Sequence, residues 1–151
     1  MHKIKDIFKA WFKRPEYKIE IDNLFIKDKV NVYLCGPIGK TYTNWRKQFK
    51  DTGTVHFVNP EDWYFDSYED TCKADMYAIR KADALFVYVP VYSPGTAMEL
   101  FYSRKIRKPI FAAVLRKCNS PWYYYAIGTG KNRHLFTNLR DAKKAMLEYF
   151  K

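Results

Sequence analysis

The residues best suited to chemistry lie in one short stretch, residues 93–100, which reads Ser-Pro-Gly-Thr-Ala-Met-Glu-Leu. It follows an apolar run at residues 84–89, whose length and strand-forming residues predict a buried strand. Pro94 and Gly95 mark a turn, and Thr96 is the predicted N-cap of the helix that follows. A strand, a tight turn and a helix in this order direct free backbone N–H groups toward whatever lies above the end of the strand.

One carboxylate, Glu99, lies near the first turn of that helix, which is predicted over residues 98–106. The partial positive charge of a helix N-terminus stabilises an ionised carboxylate. Ser93 places a hydroxyl beside the free N–H groups, and this arrangement suits a phosphate. An anion site beside a charged carboxylate predicts a phosphorylated substrate together with a nucleophile or base. The alternative interpretations are a solvated helix glutamate and a simple turn serine.

A second carboxylate, Asp75, is predicted to face the same region. It comes four residues before Ile79, which indicates the buried side of its helix, so Asp75 shares that inward side. Two carboxylates at one crevice are what glycosidic-bond cleavage uses, since one attacks the anomeric carbon and the other handles the leaving-group proton. Tyr33, on an earlier strand, is a candidate to hold a carboxylate with its phenol. An aspartate that complements the helix dipole and a core tyrosine are the alternatives.

The elements that must position these side chains predict an α/β fold, because short apolar strands alternate with helices. The pattern is that of a flavodoxin-like, Rossmann-like doubly wound parallel sheet of about five strands. In that strand order the first and third core strands are neighbours at the point where ligands bind. Here these strands end in the turns at 36–39 and 93–95, so two separate features converge on one crevice. The strands are expected at residues 30–35, 54–58, 84–89, 109–115 and 134–136.

Several segments between and after the strands are predicted to be helical. These helices are expected at residues 45–50 with a cap near Thr43, at 68–81 after the N-cap Ser67, and at 138–150. Residues 117–133, rich in aromatic residues and glycine, are expected to form a long loop.

The chain divides into an N-terminal helical extension at residues 1–29 and an α/β domain at residues 30–151. Apolar residues at helical spacing predict an amphipathic helix over residues 2–14. Such a helix either covers protein surface or lies on a membrane. The alternation of Tyr17, Ile19 and Ile21 predicts a short extra strand.

Two loops after the early strands are candidates for ligand contact. The turn Gly36-Pro37-Ile38-Gly39 either lets a ligand approach the backbone or only reverses the chain. It matches neither the Walker loop nor the G-x-G-x-x-G pattern, so dinucleotide binding lacks support. Trp63 follows the second strand and either stacks on a nucleobase or packs against protein.

The composition bears on whether the protein holds a metal, forms disulfides or spans a membrane. The three histidines are scattered and make no ligand cluster, so no metal or other cofactor is predicted. Cys35, Cys72 and Cys118 are odd in number and form no C-x-x-C pair, which indicates a reducing, cytoplasmic setting. No apolar run of about 18 residues occurs, so we expect no membrane span.

Positive charge is concentrated in the last third of the chain. The net charge is +11, and residues 101–151 hold 12 Lys and Arg residues against two acids, Asp141 and Glu148. A solvated, solubilising face is one interpretation. The other is attraction of anionic ligands, nucleotides or nucleic acid.

The chain resembles the nucleoside 2-deoxyribosyltransferase superfamily, including its hydrolytic branch, the 2'-deoxynucleoside 5'-monophosphate N-glycosidases. The resemblance covers roughly residues 30–150 and rests on three pieces in the right order and spacing. They are Val32-Tyr33-Leu34-Cys35-Gly36-Pro37-Ile38, then Asp75 with Ile79 and Ala82-Asp83, then Ser93-Pro94-Gly95-Thr96-Ala97-Met98-Glu99-Leu100.

The resemblance implies a role for each matching residue. Glu99 matches the nucleophile that forms a covalent deoxyribosyl intermediate, Asp75 the acid that protonates the leaving base, and Tyr33 the tyrosine that positions the nucleophile. Ser93 matches the serine that serves the phosphate in the hydrolases, where nucleoside transferases often carry an aspartate. Ser120 is a candidate phosphate ligand supplied by another subunit. The family implies a flavodoxin-like fold, no metal, and a homodimer or larger oligomer.

The sequence therefore predicts an enzyme that hydrolyses the N-glycosidic bond of (deoxy)nucleoside 5'-monophosphates. A deoxyribosyltransferase, in which a second base replaces water, is the first alternative. The second is a non-catalytic module that binds nucleotides, nucleic acid or an anionic membrane surface. Residues expected to bind the substrate are Gly36, Pro37, Ile38, Gly39, Trp63, Ser93, Gly95, Thr96 and Ser120.

Overall fold

The computed structural model describes residues 15–39 and 42–151, which are built on one five-stranded sheet. All strand pairs are parallel, and the strand order is β2-β1-β3-β4-β5. This is the flavodoxin-like, Rossmann-like α/β architecture that the sequence predicts, with β1 and β3 as neighbours. The strands are β1 (Val30–Cys35), β2 (Val55–Val58), β3 (Ala84–Val89), β4 (Ile110–Val114) and β5 (Arg133–Phe136).

Helices flank the sheet. In the part of the chain that the structure describes, no helix has both the length and the apolar character that crossing a membrane requires. The α-helices are α1 (Glu16–Asn23), α2 (Tyr68–Lys81), α3 (Pro94–Lys105), α4 (Pro121–Ile127) and α5 (Leu139–Tyr149). Short 3₁₀ helices span Thr43–Gln48, Pro60–Asp62 and Arg116–Cys118.

Each face of the sheet has its own hydrophobic core, because successive strand residues point to opposite faces. Tyr33 and Cys35 of β1 point to the face covered by α1, α2, α3 and α4. Val32 and Leu34 point to the face covered by α5 and the 3₁₀ helix at 43–48. The two β1 side chains nearest the predicted chemistry are therefore directed toward the helix that carries Glu99.

A polar network around Asn31 closes the edge at which the central strands begin. The backbone N–H of Asn31 donates to Asp83 Oδ2 at 2.8 Å, just before β3. Its side-chain amide donates to the carbonyls of Ile26 and Lys29 at 2.9 and 2.8 Å, and the Ile26 N–H donates to Oδ1 at 2.9 Å. These bonds fix the starts of β1 and β3 and leave the opposite edge to the loops.

The strand predicted from Tyr17, Ile19 and Ile21 is wrong, since these residues lie in α1. Ile21 is fully buried, whereas Ile19 is 46% exposed. Tyr17 packs against the same core as Ile21, which lies one helical turn further on. The buried pattern is thus that of one helix face. The amphipathic helix predicted over residues 2–14 lies outside the described residues.

The start of α3 differs from the prediction. The helix begins at Pro94 instead of near residue 98, and its N-cap is Ser93 instead of Thr96. The Ser93 hydroxyl accepts a hydrogen bond from the Thr96 N–H at 3.4 Å. Proline suits the first position of a helix, where its missing N–H costs nothing and its φ is already helical. The predicted turn is therefore the helix start itself.

Two further segments differ from their predicted local structure. The expected loop at 117–133 contains α4, which also begins with a proline, Pro121. Its aromatic residues have modest helix propensity, and burial of Tyr123, Ala126 and Ile127 stabilises the helix instead. The helix expected at 45–50 is present as a 3₁₀ helix and spans Thr43–Gln48. The N-cap predicted at Ser67 is confirmed.

Candidate active site

The candidate site lies where β1 and β3 end, at the edge opposite the Asn31 network. Cys35 is the last residue of β1 and is in register with Val87 of β3. The two turns that the sequence singles out follow these neighbouring strands, and α3 begins directly after the second turn. In open α/β sheets, ligands bind outside the carboxyl ends of the strands at such a point.

Glu99 is held by two side chains of β1. The Tyr33 hydroxyl donates to Oε1 at 2.7 Å, and the Cys35 thiol donates to Oε2 at 2.9 Å. Tyr33 and Cys35 are fully buried, while Glu99 is only half-buried. Because residues 33 and 35 are two apart on a strand, both donors reach the same carboxylate from one side. The result is a fixed carboxylate that still reaches the surface.

Burial raises the pKa of Glu99 to about 7, since a carboxylate loses hydration in this position. The nearby charge of Asp75 raises the pKa further. The hydrogen bonds from Cys35 and Tyr33 and the charge of Arg46 act in the opposite direction. Glu99 is thus ionised only from near-neutral pH upward, and its ionised form is the one that the two donors stabilise.

The carboxyl group of Asp75 accepts a hydrogen bond from an indole. The Trp63 indole N–H donates to Asp75 Oδ1 at 2.9 Å. Burial raises the pKa of Asp75 to about 6, and the Trp63 bond opposes that rise. The Trp63 ring is 8% exposed and lies 6.2 Å from the Tyr33 ring, measured between centroids. Nucleobase stacking by Trp63 stays a prediction, and its observed contact is with the carboxylate.

The two carboxyl groups titrate over the same interval of pH. With pKa values of about 6 for Asp75 and about 7 for Glu99, the pair retains one proton across that range. A reaction that needs one ionised carboxylate and one carboxylic acid requires this state of protonation. By these values the shared proton rests mainly on Glu99, so a reaction that uses Glu99 as the nucleophile and Asp75 as the acid draws on the minor arrangement of that proton.

Arg46 is a component of the site that no sequence pattern predicts. Its guanidinium is buried and donates to the carbonyls of Gly36 and Pro37 at 2.8 and 3.0 Å. It also lies 4.4 Å from the centre of the Trp45 ring, and 3.9 Å separate it from Glu61 Oε1. Burial lowers the pKa of this guanidinium. An arginine in a short polar segment is normally predicted to be exposed. Its position next to Trp45 is the one feature of the sequence that indicates burial.

The turn after β1 is buried at its first two residues and exposed at its last two. Gly36 and Pro37 are buried, whereas Ile38 is 58% exposed. A Cβ added at Gly36 would meet Trp45 Cζ2 at 2.7 Å and the Tyr88 carbonyl at 2.9 Å. The close approach that Gly36 permits is therefore that of the Trp45 ring. Gly39 has a φ of +143°, which side chains rarely adopt.

Gly36→Ala is expected to lower the free energy of unfolding by about 1–3 kcal/mol, because the added methyl overlaps a ring and a backbone carbonyl. Denaturant unfolding followed by tryptophan fluorescence measures the change. The matched control is Gly53→Ala, where no heavy atom lies within 4 Å of the added Cβ. Equal effects in the two variants would show that the Trp45 contact is unimportant.

The turn before α3 is arranged around Ser93. Its backbone N–H donates to the Tyr123 hydroxyl at 3.1 Å, which ties the turn to α4. Gly95 is exposed, and an added Cβ there would meet no heavy atom within 4 Å. Thr96 is 2% exposed, and its hydroxyl has no hydrogen-bond partner among the described residues. Ser120 is half-buried at the N-cap of α4, where its carbonyl accepts from the N–H of Tyr123.

No protein-family model matches the chain, and no curated protein matches it. Within residues 15–39 and 42–151, no group of three or more His, Cys, Asp and Glu residues could hold a metal ion. The functional groups that converge are two carboxyls, a phenol, a thiol and a helix N-terminus, which together suit nucleophilic displacement with proton transfer.

Proposed function

We propose that this protein hydrolyses the N-glycosidic bond of (deoxy)nucleoside 5'-monophosphates and releases a free base and a (deoxy)ribose 5-phosphate. The observation that carries the proposal is the Glu99 carboxylate, held by Tyr33 and Cys35 beside the protonatable Asp75. The resemblance to the nucleoside 2-deoxyribosyltransferase superfamily supports the same reaction, because its nucleophile, acid and tyrosine match these residues.

The reaction proceeds in two displacements at C1'. Glu99 attacks C1' as the bond to the base breaks, and the departing base nitrogen takes the proton of Asp75. A glycosyl ester with Glu99 results. Water then attacks C1' with the Asp75 carboxylate as base, and the Glu99 carboxylate leaves. The interval between about pH 6 and 7, in which the pair holds one proton, is where the first step is fastest.

A 5'-phosphate fits the start of α3 in this proposal. The helix N-terminus favours an anion, and Ser93 supplies a neutral hydroxyl there. A carboxylate in the place of Ser93 would repel a phosphate dianion. The buried Thr96 hydroxyl, which has no hydrogen-bond partner among the described residues, lies in the same first turn. These features support monophosphates over nucleosides as substrates.

The deciding experiment is incubation with a panel of ribonucleosides, deoxyribonucleosides and their 5'-monophosphates, followed by chromatography of the free base. We expect release from monophosphates and little from nucleosides. A free acceptor base added to the same reactions separates hydrolysis from transfer, because a transferase would produce the exchanged nucleoside. The absence of free base or exchanged product with every member of the panel would refute the proposed function.

We further propose that the protein forms a homo-oligomer through an apolar surface of α3 and α4. Phe101, Trp122 and Tyr125 lie together there, with Trp122 74% exposed. Contiguous exposed apolar surface of this kind marks interaction sites. In analytical ultracentrifugation, Trp122→Asp is expected to sediment as a monomer. The control is Tyr64→Asp, at a residue that is 82% exposed and lies outside this surface, and it is expected to sediment like wild type. A wild-type monomer at every concentration would contradict this prediction.

A further inference from the structure

Cys35 is placed to do more than fill the core beneath α3. Its thiol lies 2.9 Å from Glu99 Oε2, and it also lies 3.9 Å from the carbonyl oxygen of Thr96. The thiol proton therefore has two acceptors within reach, one on the carboxylate and one on the backbone of α3. Burial, followed by the charge of Glu99, raises the pKa of the thiol well above its usual range. Cys35 consequently stays protonated and acts as a donor.

The two oxygens of Glu99 are held by donors of unequal strength. Oε1 accepts from the Tyr33 phenol at 2.7 Å, which is the length of a strong O–H···O bond to a charged group. Oε2 accepts from a thiol, which is a weak donor. A strongly bonded oxygen keeps less of its charge available for attack than a weakly bonded one. The structure thus distinguishes two oxygens that are chemically equivalent in the free side chain.

We propose that Oε2 is the attacking oxygen of Glu99 and that the Cys35 thiol is a positioning donor which holds this oxygen and yields during the reaction. The inference rests on the proposed function. As the Oε2–C1' bond forms, the electron pair of the bond from C1' to the base passes to the base nitrogen, which takes the proton of Asp75. Oε2 becomes an ester oxygen and a poor acceptor, so the thiol turns to the Thr96 carbonyl.

Within the described residues, the groups that act on the Glu99 carboxyl come from three elements. Tyr33 and Cys35 face it from β1, Asp75 from α2, and Arg46 from the 3₁₀ helix at 43–48. Exchanging residue 35 alone leaves the other three in place. When the new side chain at position 35 is no larger than cysteine, changes in the Glu99 pKa and in the pH profile of the reaction report on the loss or replacement of the thiol contact.

The test compares Cys35→Ser, Cys35→Ala and the control Cys118→Ala, a buried cysteine in the 3₁₀ helix at 116–118. The side-chain carboxyl carbon of Glu99 is titrated by carbon-13 NMR, and kcat/KM is measured against pH with a deoxynucleoside monophosphate. A hydroxyl donates more strongly than a thiol, so Cys35→Ser is expected to lower the Glu99 pKa and to reduce kcat about tenfold. Cys35→Ala loses the donor and is expected to raise that pKa above about 7.

Opposite shifts in the serine and alanine variants, with none in Cys118→Ala, would establish the thiol as a positioning donor. If wild-type enzyme is active and both Cys35 variants keep its Glu99 pKa and pH profile, the inference is overturned while the proposed function stands. If wild-type enzyme releases no base, the proposed function fails and the assignment of Oε2 fails with it. Cys35→Ser differs from wild type by one atom, so a lowered Glu99 pKa in the serine variant supports the inference, and an unchanged one overturns it, even where Cys35→Ala does not fold.

Discussion

Glu99→Gln is expected to slow the release of free base by about 10⁴-fold or more, because an amide cannot form the covalent intermediate at C1'. Chromatography of the base released from a deoxynucleoside monophosphate measures the loss. Glu148→Gln is the matched control, since this residue lies in α5 and pairs at its surface with Lys144. Release at equal rates in Glu99→Gln and wild type would remove Glu99 from the mechanism.

The Glu99→Gln protein should nevertheless fold well, and its stability provides a second test. The folded-state pKa of Glu99 is raised from its ordinary value of 4.5 to about 7, so the native state retains a proton that the unfolded chain has lost. Glu99 therefore contributes stability that is present at low pH and is lost as pH rises through this interval. The variant lacks this contribution. A pH dependence of unfolding identical to wild type would contradict the raised pKa.

Asp75→Asn is expected to slow base release by about 10²–10⁴-fold, because the departing nitrogen no longer receives a proton from the enzyme. The loss should be small for an analogue whose leaving group is a nitrophenolate, which departs without protonation. The variant should also lose the alkaline limb of its pH profile. Parallel rate measurements on the natural base and on the nitrophenyl analogue test this directly.

Asp75→Asn also has an effect that can be measured without turnover. The Asp75 charge is one of the causes that raise the Glu99 pKa, so the Glu99 pKa should fall below about 7 in this variant. Asp66→Asn, at an exposed residue before α2, serves as the control. An unchanged Glu99 pKa would mean that the two carboxyls do not interact, and an equal rate loss on both substrates would exclude Asp75 as the acid.

The sheet could be predicted because its signals are local. Residues 84–89 are an uninterrupted apolar run, residues 30–35 are apolar except for Asn31, and the strands β3 and β1 have these bounds. Burial on both faces imposes such composition on parallel strands, so the sequence carries the signal by itself. The elements that were missed depend on contacts instead. Helix α4 is stabilised by packing of Tyr123 and Ile127, and no local pattern reveals that packing.

The candidate site likewise contains residues that the sequence predicts and contacts that it does not. Glu99 stands out because it follows a strand, a turn and a helix start in one short stretch, and Asp75 stands out because it lies four residues before Ile79 in its helix. The contacts that tune them join residues far apart, such as Cys35 with Glu99, which are 64 positions apart. The bond from Trp63 to Asp75 depends on how a loop folds over α2, and the burial of Arg46 depends on the path of the turn after β1. None of these follows from residue type or spacing.

The Asn31 network has a consequence for how this protein can change. It anchors the two central strands at their beginnings, whereas the side chains proposed to be catalytic gather where the strands finish. The contacts that hold the sheet together and the side chains proposed to act on a substrate therefore lie at opposite edges of the sheet. Loops at the edge that carries the proposed catalytic side chains can gain insertions or new residues without weakening the Asn31 hydrogen bonds. Changes in these loops can therefore alter substrate preference while the sheet stays intact.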